Sequence, residues 1–202
     1  GQTNLYAENL TYGYLEMVSG NYDFYPNLHS WKDIYDYNKT WLSVKDNIYG
    51  SMYNIIGNIN NFLKYIDKNR PVIKTGKYYE LMKGEALGLR AFLHFDLLRM
   101  FGPSKALDKG EKCMPYVTTF GQGNTAYSTF DQVIEKVLAD IDAAIPLFDK
   151  DPIWTPMETP SNVYLVNRKV RMNAFSVRAL RARVMLYAGK TDSEVYDFVS
   201  EL

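Results

Sequence analysis

Apolar residues recur every three or four positions along nearly the whole chain, which is the period of amphipathic helices. From Trp41 to about Lys68 the recurrence runs through Tyr49, Met52, Tyr53, Ile56, Ile59, Asn60, Leu63 and Ile66, and Arg70-Pro71 closes it. Gly57 lies inside this stretch at a cost of about 1 kcal/mol relative to Ala, which points to close packing or a local kink. A second helix is predicted from about Tyr79 to Phe101, stopped by Gly102-Pro103. One of its stripes is bulky (Met82, Ala86, Leu89, Leu93). The other (Gly84, Gly88, Ala91, Phe95, Leu98) begins with small residues, so a neighbour can approach closely there.

A third helix opens at Ser128 or Thr129 as N-cap, with Asp131 near the positive end of the dipole. Its stripe is Phe130, Val133, Ile134, Val137, Ile141, Ala144 and Phe148. The fourth runs from about Arg171 to Tyr187 with Met172, Phe175, Ala179, Ala182 and Leu186 facing inward, and it ends near Gly189. A fifth begins around Asp192, and an N-terminal helix is predicted over Leu5 to Val18. Two connections, Ser19 to about Thr40 and Asp149 to Asn167, exceed the usual loop length and carry aromatics, Pro and Asn. No alternating strand pattern of any length interrupts the helices. The pattern therefore predicts one all-α domain over residues 1–202, made of antiparallel helix pairs joined by long irregular loops. Leu202 falls within a helical pattern, which predicts a truncated chain.

Composition adds limits. With 202 residues, 47% hydrophobic and 23% charged, the chain can bury a full core. The 23 basic and 23 acidic residues cancel, so the net balance gives no long-range pull toward nucleic acid or anionic lipid. Arg168, Lys169, Arg171, Arg178, Arg181 and Arg183 cluster, but the acidic positions Asp131, Glu135, Asp140 and Asp142 on the preceding helix offer them partners, and no nucleic-acid partner is expected. The single cysteine, Cys113, excludes an intrachain disulfide and a cysteine-based zinc site. No stretch approaches the roughly 20 apolar residues of a membrane span. No leader pattern starts at Gly1, which predicts a cytoplasmic chain or a processed or engineered form.

Helix pairs with small residues at fixed offsets are the mark of tetratricopeptide repeats (TPRs), although no clean 34-residue period emerges here. The segment Gly84–Pro103, GEALGLRAFLHFDLLRMFGP, is more specific. It resembles the signature of the SusD/RagB family: a Gly-Glu-Ala start, a Leu-Arg-Ala centre, an aromatic-Asp-Leu stretch and an Arg-x-Phe-Gly end. Tyr53, Ile56, Asn60 and Leu63 match that family's earlier helix, and Ala179–Gly189, ALRARVMLYAG, matches its later one. The resemblance implies TPR-like helix pairs stacked in a right-handed superhelix. It makes Gly84, Glu85, Arg90, Asp96, Gly102 and Asn60 scaffold residues of the signature. It also implies a Bacteroidetes surface lipoprotein that captures oligosaccharide or polysaccharide and docks on a SusC-like TonB-dependent outer-membrane transporter. In the family a larger irregular C-terminal half follows the helices; the expectation is that this chain lacks that half and the lipidation cysteine, so membrane attachment would come only from an anchor outside it.

Chemistry for catalysis is not apparent. The sequence holds no HExxH, nucleophile elbow or phosphate loop, and His94 and Asp96, two apart, point different ways on a helix. No catalytic residue, metal or cofactor is expected. Arg90 needs a buried partner, for which Glu85 and Asp96 are the candidates. Sugars present flat C–H faces to aromatic rings and hydroxyls to polar groups, so the loop aromatics are the candidate ligand residues. Trp154 stands first, followed by Trp31, Tyr25 and Tyr35. The alternative is a TPR scaffold that grips a protein and binds no sugar.

Overall fold

The computed structural model describes residues 39–73, 77–121, 123–154 and 163–200, together with positions 5–6, 10–11, 15–16 and 19. Trp31, Tyr25 and Tyr35 lie outside the described residues, as does most of the predicted N-terminal helix and of the Ser19–Thr40 connection. The chain divides into two compact units, Gly1–Ile55 and Ile56–Leu202. The first long helix, α1 (Lys39–Asn69), contributes residues to both.

In the second unit α2 (Tyr78–Phe101) is the central element. It packs most extensively on α3 (Phe130–Ala144) and also against the 3-10 turn Ile145–Phe148 that extends α3. Helix α3 in turn packs on α5 (Ala174–Tyr187), and α5 on α6 (Asp192–Ser200); the one-turn helix α4 (Val163–Val166) precedes α5. The predicted all-α architecture holds, and α2 starts and stops within a residue of the expected limits. Because α2 is buried on several faces, its apolar and small residues are spread around it. All five residues of the small stripe are buried, whereas Leu89 of the bulky stripe is exposed.

A capping box begins α3. The Thr129 hydroxyl accepts from the Gln132 N–H, and the Gln132 side chain accepts from the Thr129 N–H. Every residue of its predicted stripe, through Phe148, is buried. Helix α5 differs from expectation. Its buried face is Ala174, Val177, Leu180 and Val184, so Phe175, Ala179 and Leu186 face solvent. A second apolar row, Val177, Leu180 and Val184, competes with the predicted stripe, and the fold buries that row. The helix starts at the Asn173 N-cap, whose side chain accepts from the Phe175 and Ser176 N–H groups.

A second correction concerns strands. A short antiparallel pair, β1 (Lys112–Pro115) and β2 (Tyr127–Thr129), joins α2 to α3, with a bulge between Lys112 and Met114. At three to four residues these strands are too brief to show an alternating period, and backbone pairing alone defines them. Among the described residues no helix is long and apolar enough to cross a membrane.

The helix glycines at positions 57, 84 and 88 separate cleanly. A Cβ on Gly84 would stand 2.9 Å from the fully buried Phe148 ring and 3.2 Å from Leu147 Cβ; one on Gly88 would stand 2.7 Å from the Met172 side chain. Close packing is therefore the reason for both. Around Gly57 nothing lies within 4 Å, so the close approach expected there is not found. Gly57→Ala is expected to raise stability by about 1 kcal/mol through helix propensity. Gly84→Ala should lower it by about 1–3 kcal/mol through overpacking. Urea unfolding of the two variants checks the opposite signs.

Candidate functional site

Two buried ionic clusters form the frame on which exposed residues are held. The first centres on Arg90. Its Nε and Nη2 donate to Asp140 at 2.7 and 2.6 Å, and its Nη1 donates to Asn60 Oδ1 at 2.9 Å. The Tyr116 hydroxyl donates to the same Asp140 carboxylate at 2.6 Å. Asn60 Nδ2 donates to the Val117 carbonyl at 2.9 Å, which fastens α1 to the segment after β1. The expected partners of Arg90 are thereby corrected: Glu85 pairs with Arg168 and Arg171, and Asp96 with Arg99. At five and six positions from Arg90, neither shares its side of the helix. Burial alone would lower the Arg90 guanidinium, but the hydrogen bonds and charge of Asp140 outweigh it and hold it above the ordinary value. Burial and the Asp140 charge raise the Tyr116 phenol.

His94 completes this cluster. It stacks on Tyr116 with ring centroids 3.8 Å apart. The Val117 N–H donates to Nε2 at 3.0 Å, so the ring proton sits on Nδ1 and is donated to the Arg90 carbonyl at 2.9 Å. Burial pushes the imidazole down to about 4. A histidine whose folded-state value is depressed stays neutral in the native protein while the unfolded chain takes up a proton. Its contribution is therefore complete above about pH 6.5 and is lost as pH falls toward 4. The expected loss is about 3 kcal/mol. Urea midpoints at pH 7.5 and 4.5 check it, and His94→Gln should flatten the dependence.

The second cluster centres on Arg168 and Asp151, 3% and 1% exposed. Arg168 Nε and Nη2 donate to the two Asp151 oxygens at 2.9 and 2.6 Å, and Nη1 pairs with Glu85. Asp151 also accepts the Ile153 and Ala174 N–H groups at 3.1 and 3.2 Å, so it braces both the turn before Trp154 and the start of α5. Burial opposes the Arg168 charge, yet the bonds to Asp151 keep its value raised.

On this brace sits Trp154. Its backbone N–H donates to the Asp151 carbonyl and its indole N–H to the Phe148 carbonyl, both at 3.1 Å. The ring lies 4.6 Å from that of Phe175, tilted by 58°, and the Arg178 guanidinium is 5.4 Å from its centroid. Trp154 is 38% exposed and Phe175 51%. The result is an exposed aromatic pair beside a guanidinium, with the indole N–H spent on the scaffold. Phe175 and Arg178 were not expected here: the sequence places Phe175 in the core stripe and Arg178 in a face paired with α3. Of that basic face only Arg181 reaches an α3 acid as predicted, Asp142 at 2.7 Å. The signal for Phe175 was its place one turn before Ala179 and opposite the Ala174, Val177 and Val184 register.

Residues 2–165 match the SusD-like family whose description reads "Starch-binding associating with outer membrane". Among solved structures, a SusD superfamily protein from Bacteroides thetaiotaomicron VPI-5482 is similar, with a TM-score of 0.60 and 25% identity over 77% of this chain and 31% of that one. A SusD superfamily protein from Bacteroides vulgatus ATCC 8482 gives 0.58 and 26% over 75% of this chain and 31% of that one. A SusD-like carbohydrate binding protein from the same strain gives 0.66 over 96% of this chain and 39% of that one; at 18% identity the likeness is one of fold. The chain thus spans only 31–39% of the length of these structures. No curated protein matches the sequence significantly.

Proposed function

The chain belongs to the SusD-like family, and on that premise we propose that it is part of a non-catalytic glycan-capture protein. In this reading the protein holds oligosaccharide or polysaccharide at the outer-membrane cell surface, lipid-anchored in its full-length form. It passes the glycan to a SusC-like TonB-dependent transporter on which it docks. The family match over residues 2–165 is the observation that carries the reading.

The site assigned to the ligand is Trp154 with Phe175 and Arg178. Aromatic faces hold the C–H side of a pyranose, and a guanidinium donates to its hydroxyls. The two buried Arg–carboxylate clusters serve as scaffold in this account, because their donors and acceptors are already engaged with one another. In affinity electrophoresis through gels containing neutral polysaccharides, Trp154→Ala should lose most of the retardation shown by the wild type. Retardation unchanged by that substitution would overturn the site.

One observation favours a second reading. Phe175, Ala179 and Leu186 form an apolar row along the exposed face of α5, as a protein-gripping TPR scaffold would present. Wild-type protein that no glycan retards would decide for the scaffold.

A further inference from the structure

The C-terminal part of α1 carries a second feature, distinct from the Trp154 platform. An open groove of about 380 Å³ runs along it, within the size range of small-ligand sites. Asn58, Asn61 and Asn69 supply amides to its lining, and Phe62 and Tyr65 supply rings that are 40% and 47% exposed. Ile66, Ile73 and Met82 give the remaining surface an apolar character. The spacing places residues 58, 61, 62, 65 and 69 on one helix face, so three amides and two rings share a single row.

Among the described residues the lining contains no charged side chain. Lys64 and Lys68 stand 5.4 and 5.7 Å from the centre of the Tyr65 ring, outside the lining, and Asp67 is engaged by Lys83 at 2.7 Å and by the Tyr79 hydroxyl at 2.6 Å. Asn69 Nδ2 donates to the Tyr65 carbonyl at 3.0 Å, which ties this amide to the groove wall. An amide both donates and accepts without charge, as a hydroxyl-rich ligand requires, and the rings offer faces to C–H groups. An ionic ligand would find no countercharge among the described residues of the lining.

We propose that this groove is a subsite for an uncharged saccharide, with Phe62 as its stacking platform and Asn61 as its principal hydrogen-bonding side chain. The ligand class rests on the glycan-capture reading, whereas the position rests on the lining of the groove alone. Both residues lie at the surface, so their substitution leaves the fold in place.

The test is nitrogen-resolved NMR of the whole chain titrated with maltoheptaose, cellohexaose and mannohexaose, and with oligogalacturonate as the acidic counterpart. Side-chain amide signals of Asn58, Asn61 and Asn69 should move saturably with at least one neutral oligosaccharide. Phe62→Ala and Asn61→Leu should each weaken that titration about tenfold. Groove amides that stay still while the Trp154 indole signal moves would overturn the subsite and leave glycan capture standing. If neither responds to any oligosaccharide, both readings fall. A response to oligogalacturonate alone, or one that Phe62→Ala does not weaken, would overturn the uncharged-saccharide assignment.

Discussion

Asp140→Ala is expected to lower the stability of the protein by about 3–5 kcal/mol. The carboxylate takes three hydrogen bonds, two from Arg90 and one from Tyr116, in a setting where Arg90 is 8% exposed. Removing it leaves a guanidinium without its charge partner and a buried phenol without an acceptor. The single loss thus far exceeds the net worth of the pair, because the cost of the remaining buried charge is no longer offset. Replacing both members, as in Arg90→Met with Asp140→Leu, should recover much of the loss. Urea denaturation of the single and double variants measures the difference. Total stabilities of about 5–15 kcal/mol are usual, so the single substitution removes a large share of the total.

Asp151→Ala is expected to cost a similar 3–5 kcal/mol, with a local consequence that Asp140→Ala lacks. Arg168 keeps Glu85 but loses its two-point partner, and the Ile153 and Ala174 N–H groups lose their acceptor together. These groups fix the turn that carries Trp154 and the first turn of α5 that carries Phe175. The variant should therefore show a weakened near-ultraviolet circular dichroism signal from the indole at temperatures where the far-ultraviolet helix signal persists. Arg168→Lys should reproduce much of the effect, since an ammonium cannot match the fork geometry of the guanidinium.

These two clusters show what the sequence makes legible. Helix ends were readable because their causes are local: Gly102-Pro103 stops α2, and Thr129 with Gln132 starts α3. Gly84 and Gly88 were readable as sites of close approach, although Phe148 and Met172 as the approaching groups were not. The partner of Arg90 was sought among near neighbours on its own helix and lies fifty residues away, on α3. A clue existed, since Asp140 falls within the apolar row of Val137, Ile141 and Ala144, as Asn60 falls within that of Ile56 and Leu63. A polar residue in such a row implies a buried partner. On α5 two apolar rows compete in the sequence, and the fold buries the one through Ala174, Val177 and Val184.

For the candidate site, the sequence singled out Trp154 from its setting among prolines. Its neighbours were hidden because Phe175 and Arg178 reach it only through the fold. The groove on α1 was equally out of view: Asn60 is read from the family pattern, while Asn58 and Asn61 lie outside that pattern.

The central claim is capture of glycan without cleavage, and one measurement bears on it most directly. Wild-type protein is run through gels containing neutral polysaccharides, and the polysaccharide is recovered after long incubation for chain-length analysis. The account predicts retardation by at least one polymer, recovered at its original length. Free migration through every gel, or shortened chains in the recovered polymer, would contradict it.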